Sequence, residues 1–187
     1  WTTSEPTKHM QDCRRFFQSA GVKTVLDVGC GIGIWAIFLS QAGFRVKGFD
    51  FSETAINYAS DWAKRENLDI QYVCSPLTKV AYPNEQFDAV LAAKVLENVS
   101  RDEAEIAIEH ISGSLKDGGV VYALFNPHLS EAQIEELMQS DNPTKNITHT
   151  IYTDEELKKL FPDFEMMKFK HYDDVGFRGL FLKKLEQ

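Results

Sequence analysis

Apolar positions along this chain switch repeatedly between a spacing of two and a spacing near 3.6. "MQDCRRFFQSAG" puts Met10, Cys13, Phe16 and Phe17 on one helical face and ends in a candidate C-cap, Gly21. "KTVLDV" predicts a first strand. "IWAIFLSQAG" predicts a helix that is apolar on nearly every side, which implies burial all round. "FRVKGFD" predicts a second strand, after which Ser52 caps a helix with Ala55, Ile56, Ala59 and Ala63 at helical spacing. A third strand falls in "IQYVC", a turn in "PNEQ" and a fourth strand in "FDAVLAA". Ala104, Ala107, Ile108, Ile111 and Leu115 line the next helix, which "KDGG" stops ahead of a fifth strand, "VVYALF". Repeated β-α units imply a parallel sheet with helices on both faces.

The last third changes character. Ser130 with Gln133, and Thr153 with Glu156, each make a capping box, and the pairs Leu129–Ile134 and Tyr152–Leu157 can staple the two helix starts. "FEMMKFKHY" and "FRGLFLKKL" then predict two strands joined by the tight "DDVG" segment, an antiparallel pair that closes the sheet. The stretch from about 127 to 152 is the least patterned, and it is expected to lie over a ligand site as a partial lid.

Composition narrows the class. The chain has 187 residues, 43% of them hydrophobic, no internal repeat and no linker, which predicts one domain over 1–187. The net charge of −8 is spread out, with Lys and Arg never massed, so no nucleic-acid partner is expected. No apolar run is long enough to span a bilayer and no secretory signal is present, so the expectation is a cytoplasmic protein with no membrane partner, monomeric or homodimeric. The chain starts at Trp1 rather than Met, as expected if an N-terminal segment precedes it. Cys13, Cys30 and Cys74 are an odd number without Cys-x-x-Cys spacing, and the five histidines are scattered, so neither disulfides nor a metal site is expected.

The chemistry concentrates in "DVGCGIG", the loop after the first strand. In a parallel α/β sheet, ligands bind beyond the C-terminal strand ends. Glycines there admit positive φ and close ligand approach, and the following helix presents free N–H groups. The dinucleotide pattern G-x-G-x-x-G is met by Gly29 and Gly31, but its third glycine is replaced by Ile34, with Gly33 one place early. Asp27 is also foreign to that pattern: an acid there suits a cationic ligand group, which a pyrophosphate lacks. Asp50 closes the second strand about twenty residues later, where a carboxylate can accept from both hydroxyls of a ribose.

"VLDVGCGIG" resembles the first motif of class I S-adenosylmethionine-dependent methyltransferases. "GFDFSETAINYA", "FDAVLAAKVLENV" and "LKDGGVVYALFN" continue the likeness in order, over nearly the whole chain. The resemblance implies a three-layer, Rossmann-like α/β methyltransferase fold whose mostly parallel seven-stranded sheet runs 3-2-1-4-5-7-6, the last strand antiparallel. It implies S-adenosylmethionine as cofactor, with Asp27 near the methionyl amine and the Gly29–Cys30–Gly31 backbone along the methionine. It further puts Asp50 on the ribose, Phe51 on the adenine face, Pro76 and Leu77 at the adenine edge, and Ala92 and Lys94 at the end of the fourth strand. Many relatives carry an aspartate where Pro76 stands. Proline cannot accept from the adenine amino group, so the Leu77 N–H has more to do and somewhat weaker cofactor binding is expected.

Several residues have plainer readings. Cys30 suits the loop by its small size, Trp35 and Trp62 suit the core, and His110 suits a solvated helix face. Lys94 and His128 are the candidate catalytic groups, each equally readable as a surface or loop residue, and Glu97–Asn98 follow the fourth strand, where relatives contact their ligands. No Asn-Pro-Pro-Tyr-like run or Pro-Cys nucleophile is present, so the acceptor is expected to be a small molecule. With no evident acid–base pair, it is expected to need little proton removal, as a thiol or metalloid oxyanion does. Trp1, Pro6–Thr7 and "YTDEELKKLFPDFEMMKFKHYDDVG" are loosely similar to the tellurite-resistance and thiol-methyltransferase-like group. Two other classes compete: a catalytically silent S-adenosylmethionine-binding regulatory module, and a nicotinamide-dependent oxidoreductase.

Overall fold

In the computed structural model, which describes residues 6–79, 81–82, 86–127 and 150–186, the β-rich runs pair into one sheet. The elements in chain order are α1 (Lys8–Ser19), β1 (Thr24–Val28), α2 (Ile34–Gln41), β2 (Arg45–Asp50), α3 (Glu53–Arg65), β3 (Gln71–Cys74) and β4 (Phe87–Ala93). A 3-10 turn (Leu96–Asn98) and α4 (Arg101–Ser114) lead to β5 (Leu115–Phe125), α5 (Asp154–Leu157), β6 (Phe164–Tyr172) and β7 (Phe177–Lys184). The seven strands run in the order β3-β2-β1-β4-β5-β7-β6, with β7 antiparallel to both its neighbours, as the motifs imply.

The period of two in the central strands buries both sheet faces. Val25, Leu91, Tyr122 and Leu124 pack with Cys13 and Phe17 of α1 and Ala36 and Leu39 of α2. Leu26, Val28, Val90, Ala92, Val121 and Ala123 pack on the other face with Ala104, Ala107, Ile108 and Ile111 of α4 and with Leu157 of α5. The first three helices stop where the chain offers a left-handed residue. Gly21, at φ 69°, lets Val22 N–H reach the Phe17 carbonyl at 3.0 Å while its own N–H reaches Gln18. The same pattern ends α2 at Gly43 and α3 at Asn67. Ser52 caps α3 by accepting from Ala55 N–H at 3.3 Å.

The structure departs from the sequence expectations in three places. Helix α2 is not buried all round: Ile34 is 41% exposed, because its first turn borders the glycine loop rather than the sheet. "KDGG" does not separate α4 from a later strand; β5 starts at Leu115, and the extra residues form a bulge against β4 between Phe87 and Ala89. The Thr153–Glu156 capping box is present, and Tyr152 and Leu157 share one core, but α5 extends over four residues only. The Ser130–Gln133 box, the Leu129–Ile134 staple, most of the expected lid and most of the "PNEQ" turn lie outside the described residues. No helix among the described residues is long and apolar enough to cross a membrane.

Candidate active site

The loop from β1 to α2 carries three glycines, and each meets different surroundings. Gly33, the residue before α2, has φ 88°, and a Cβ there would stand 2.8 Å from Tyr72 Oη and 3.0 Å from Ala59 Cβ. A Cβ on Gly29, at φ 66°, would collide with Val95 from the turn after β4. Only Gly31, at φ 53°, faces open space. Two of the glycines thus let protein pack on the loop, and the middle one leaves room for something else. Cys30 N–H fixes the loop to β2 through the Phe49 carbonyl at 2.9 Å.

Two carboxyl groups flank that space. Asp50 ends β2 half-buried; its Oδ2 accepts Gly31 N–H and its Oδ1 accepts Ser52 N–H, both at 2.9 Å. It therefore shapes the loop while each oxygen keeps a further lone pair at the rim. Asp27 is only 1% exposed, and its Oδ2 is buried without a partner among the described residues. Burial, then the nearby Asp50 charge, push the Asp27 carboxyl up to about 8, against the Ala36 N–H that favours ionisation. A cation set against Oδ2 would reverse that balance. The same burial and the two acids push the Cys30 thiol well up, so it is no nucleophile and its small size is what the loop uses.

The other expected cofactor-side residues are spread around this mouth. Phe51 is 79% exposed, a free ring beside Asp50. Ser75 N–H donates to the Asp50 carbonyl at 2.9 Å, bringing Pro76 to the surface next to β2, while Leu77 leans on the core. Ala92 is buried with its side chain in the α4-side core, so only its backbone can meet a ligand.

Across β4 the site is walled by side chains. Lys94 adopts φ 55°, uncommon outside glycine, and is locked by its N–H to the Leu124 carbonyl at 2.7 Å and its carbonyl to Asn98 Nδ2 at 2.8 Å. Its Nζ lies 5.0 Å from the centroid of Phe177. The His9 ring packs against the same Phe177 at 5.2 Å and against Trp35 and Tyr172, each at 5.7 Å. Burial and the Lys94 charge lower the His9 pKa, with Asp174 and Asp12 opposing. Behind Lys94, Glu97 is 5% exposed: its Oε1 accepts Asn126 N–H at 2.9 Å and its Oε2 is buried without a partner among the described residues. Burial raises its pKa, although Asn126, Arg178 and Lys94 favour the ionised form. Arg178, 4% exposed, donates to the Asn126 carbonyl through Nε and Nη2 at 3.0 and 2.9 Å and to the Tyr152 carbonyl at 2.6 Å. The turns after β4 and β5 and the start of β7 are thereby one hydrogen-bonded unit. A cleft of about 480 Å³ is lined by Pro127, Thr153, Asp154, His171, Gly176 and Arg178, none of them a residue of the glycine loop.

The profile of a family described as "Methyltransferase domain" matches residues 25–119, just over half of the chain. The chain belongs to the methyltransferase domain family. Its sheet order is the one implied by the likeness to class I S-adenosylmethionine-dependent methyltransferases. The chain is 32% identical over 100 residues to the ubiquinone biosynthesis O-methyltransferase of Coxiella burnetii, a match over 54% of this chain and 42% of that relative. The chain thus spans less than half of the relative's length. An S-adenosylmethionine-dependent methyltransferase from Clostridium acetobutylicum superposes with a TM-score of 0.78 at 13% identity, over 98% of this chain and 94% of the other. TehB from Haemophilus influenzae superposes at 0.74 with 19% identity, over 99% of this chain and 64% of TehB. At those identities the two structures speak for the fold alone.

For a methyltransferase of this family, the structure gathers Asp27, Gly29, Cys30, Gly31, Asp50 and Phe51 at one mouth, with Pro76 and Leu77 on its β2 side. Lys94 stands apart, over Phe177. His128 lies outside the described residues. His110 is half-buried rather than solvated, its Nδ1 enclosed without a partner among the described residues, near Leu26, Leu77 and Ile111. Sequence reasoning passed over His9, Tyr72 and Arg178. A charged residue inside the apolar "FRGLFL" was the available sign for Arg178; nothing local distinguished His9.

Proposed function

We propose that this chain transfers a methyl group from S-adenosylmethionine to a small-molecule acceptor, working as one cytoplasmic domain without a nucleic-acid or membrane partner. The observation that carries this reading is the open face of Gly31 between Asp50 and the unpartnered Asp27 Oδ2. The residues fit the cofactor: Asp27 faces the methionyl ammonium, Gly29–Cys30–Gly31 lie along the methionine, Asp50 accepts from the ribose, Phe51 covers the adenine and the Ser75–Leu77 stretch borders its edge. Once bound, the sulfonium supplies an activated methyl carbon. The protein's part is to align the acceptor and exclude water, and good alignment lowers such a barrier by about 7–11 kcal/mol.

The acceptor class turns on proton demand. A thiol or metalloid oxyanion, the acceptor expected from the sequence, has a low proton demand, so that a dedicated base is optional. A hydroxyl needs one, and O-methylation is what the Coxiella relative's name describes. The His9–Lys94 pairing on Phe177 favours the hydroxyl.

Isothermal titration tests the cofactor reading. S-adenosylmethionine and its demethylated product should bind in the mid-micromolar range or tighter, and NAD should not. NAD binding with no response to either sulfur nucleoside would sink the proposal. Binding without turnover on any acceptor would favour the silent regulatory module.

A further inference from the structure

We infer that His9 is a further catalytic residue, which removes the proton from the hydroxyl of a phenol-type acceptor while Lys94 stabilises the oxyanion. This rests on the methyltransferase reading and adds an acceptor chemistry to it. His9 enters from the first turn of α1, far in sequence from every motif, yet its imidazole sits among Trp35 of α2, Tyr172 of β6 and Phe177 of β7. Thr7 Oγ1 engages Nε2 at 3.0 Å, and Nδ1 has no hydrogen-bond partner among the described residues. One nitrogen is therefore anchored and the other is available to a substrate.

Lys94 Nζ and the His9 ring both pack on Phe177. The left-handed backbone of Lys94, at φ 55°, is strained in a residue with a Cβ. The two backbone bonds to Leu124 and Asn98 hold it there. Strain of this kind gathers at sites where a side chain must be aimed. The groups facing His9 are Lys94 from the β4 turn, Asp174 from the β6–β7 turn and Asp12 from α1. Asp12 is itself bound by Arg15 and Lys170, and burial, followed by the Lys94 charge, lowers the His9 pKa and favours the neutral imidazole that can accept a proton. Flat apolar walls beside a base and a cation suit an aromatic ring bearing a hydroxyl.

The chemistry balances. The acceptor O–H bond breaks and its proton goes to His9 Nδ1. The oxygen takes the methyl carbon, and the electrons of the broken C–S bond return to sulfur, leaving a neutral thioether. Lys94 offsets the oxyanion charge until the O–C bond forms, and the imidazolium then releases its proton to solvent.

The test uses 4-nitrophenol, whose ionised form absorbs visible light, bound to the protein saturated with S-adenosylhomocysteine. The ionisation midpoint of the bound phenol should fall at least about one pH unit, a tenfold change in its acidity, below that of the free phenol. His9→Gln and Lys94→Met should each bring it back at least halfway, with thermal unfolding near that of the wild type. Equal midpoints in wild type and His9→Gln, or no binding of the phenol to the loaded protein, overturn the inference alone. Failure of S-adenosylhomocysteine itself to bind overturns the methyltransferase reading and the inference with it.

Discussion

The β1–β2–β3 side of the site and the β4–β5–β7 side reach the same end of the sheet by different means. Around the glycine loop, backbone does the fitting: Gly29 and Gly33 vanish under Val95, Tyr72 and Ala59, and the Asp50 carboxylate is held by two backbone N–H groups. Around Lys94, long side chains do it: three rings enclose His9, and one guanidinium ties two turns to the start of β7. A cofactor common to a whole family can be met by backbone, which every relative has. An acceptor particular to one enzyme is met by side chains, which can be exchanged without disturbing the loop.

That division can be broken or sharpened by substitution. Gly33→Val should have the largest effect, destabilising the fold by about 2–5 kcal/mol, from overpacking against Tyr72 and Ala59 and from a left-handed φ. Chemical unfolding measures it, and a cost below about 1 kcal/mol would mean the loop is not packed as described. Arg178→Met should cost about 2–4 kcal/mol by stranding the Asn126 and Tyr152 carbonyls, yet leave cofactor affinity within about threefold. A large affinity loss in that variant would erase the distinction between the two sides.

Asp50→Ala should weaken S-adenosylhomocysteine binding by about ten- to a hundredfold, or about 1.4–2.8 kcal/mol, by calorimetry. Near-normal affinity in the folded variant would show the ribose is held elsewhere. Asp27→Asn should change how stability responds to pH. The carboxyl is held at about 8 in the folded protein against 3.8 ordinarily, so between those values the folded state keeps a proton that the unfolded chain has lost. Stability contributed by this group is complete below pH 4, falls as pH rises and is gone above about 8. The asparagine variant, with no proton to lose, should gain melting temperature relative to wild type between pH 5 and 8. Parallel melting curves across that range would place the proton elsewhere. Pro76→Asp should have the smallest effect, leaving affinity unchanged or slightly tighter; a large loss would shift the register assigned to that loop.

The glycine-loop side was legible because its parts are neighbours in sequence. Asp27, the glycines and Asp50 fall within one β-α-β unit; their spacing departs from the dinucleotide pattern, and the likeness of the motif implies the sulfonium nucleoside. The sheet order was legible for the same reason, motif following motif. The Lys94 side was not. His9, Lys94 and Phe177 come from opposite ends and the middle of the chain, and a lone histidine on a first helical turn has no pattern to announce it. The left-handed φ of Lys94 is invisible in "AAKVLEN", since no glycine or asparagine marks it. Ala92, expected as a cofactor neighbour from the same motif, turns its side chain to the core, an orientation that the motif does not show.

The place of β7 between β5 and β6 also bears on the order of assembly. In the sheet, β7 lies between β5 and β6, but along the chain it follows β6. A growing polypeptide therefore releases the outer strand before the one that must slot in beside β5, and β6 has nothing to pair with until β7 arrives. The bond from Gly31 to Asp50 closes a short loop and can form early in synthesis. The contact between His9 and Phe177 closes nearly the whole chain and comes last. A chain still on the ribosome thus holds its glycine loop complete while the wall around His9 lacks its final ring.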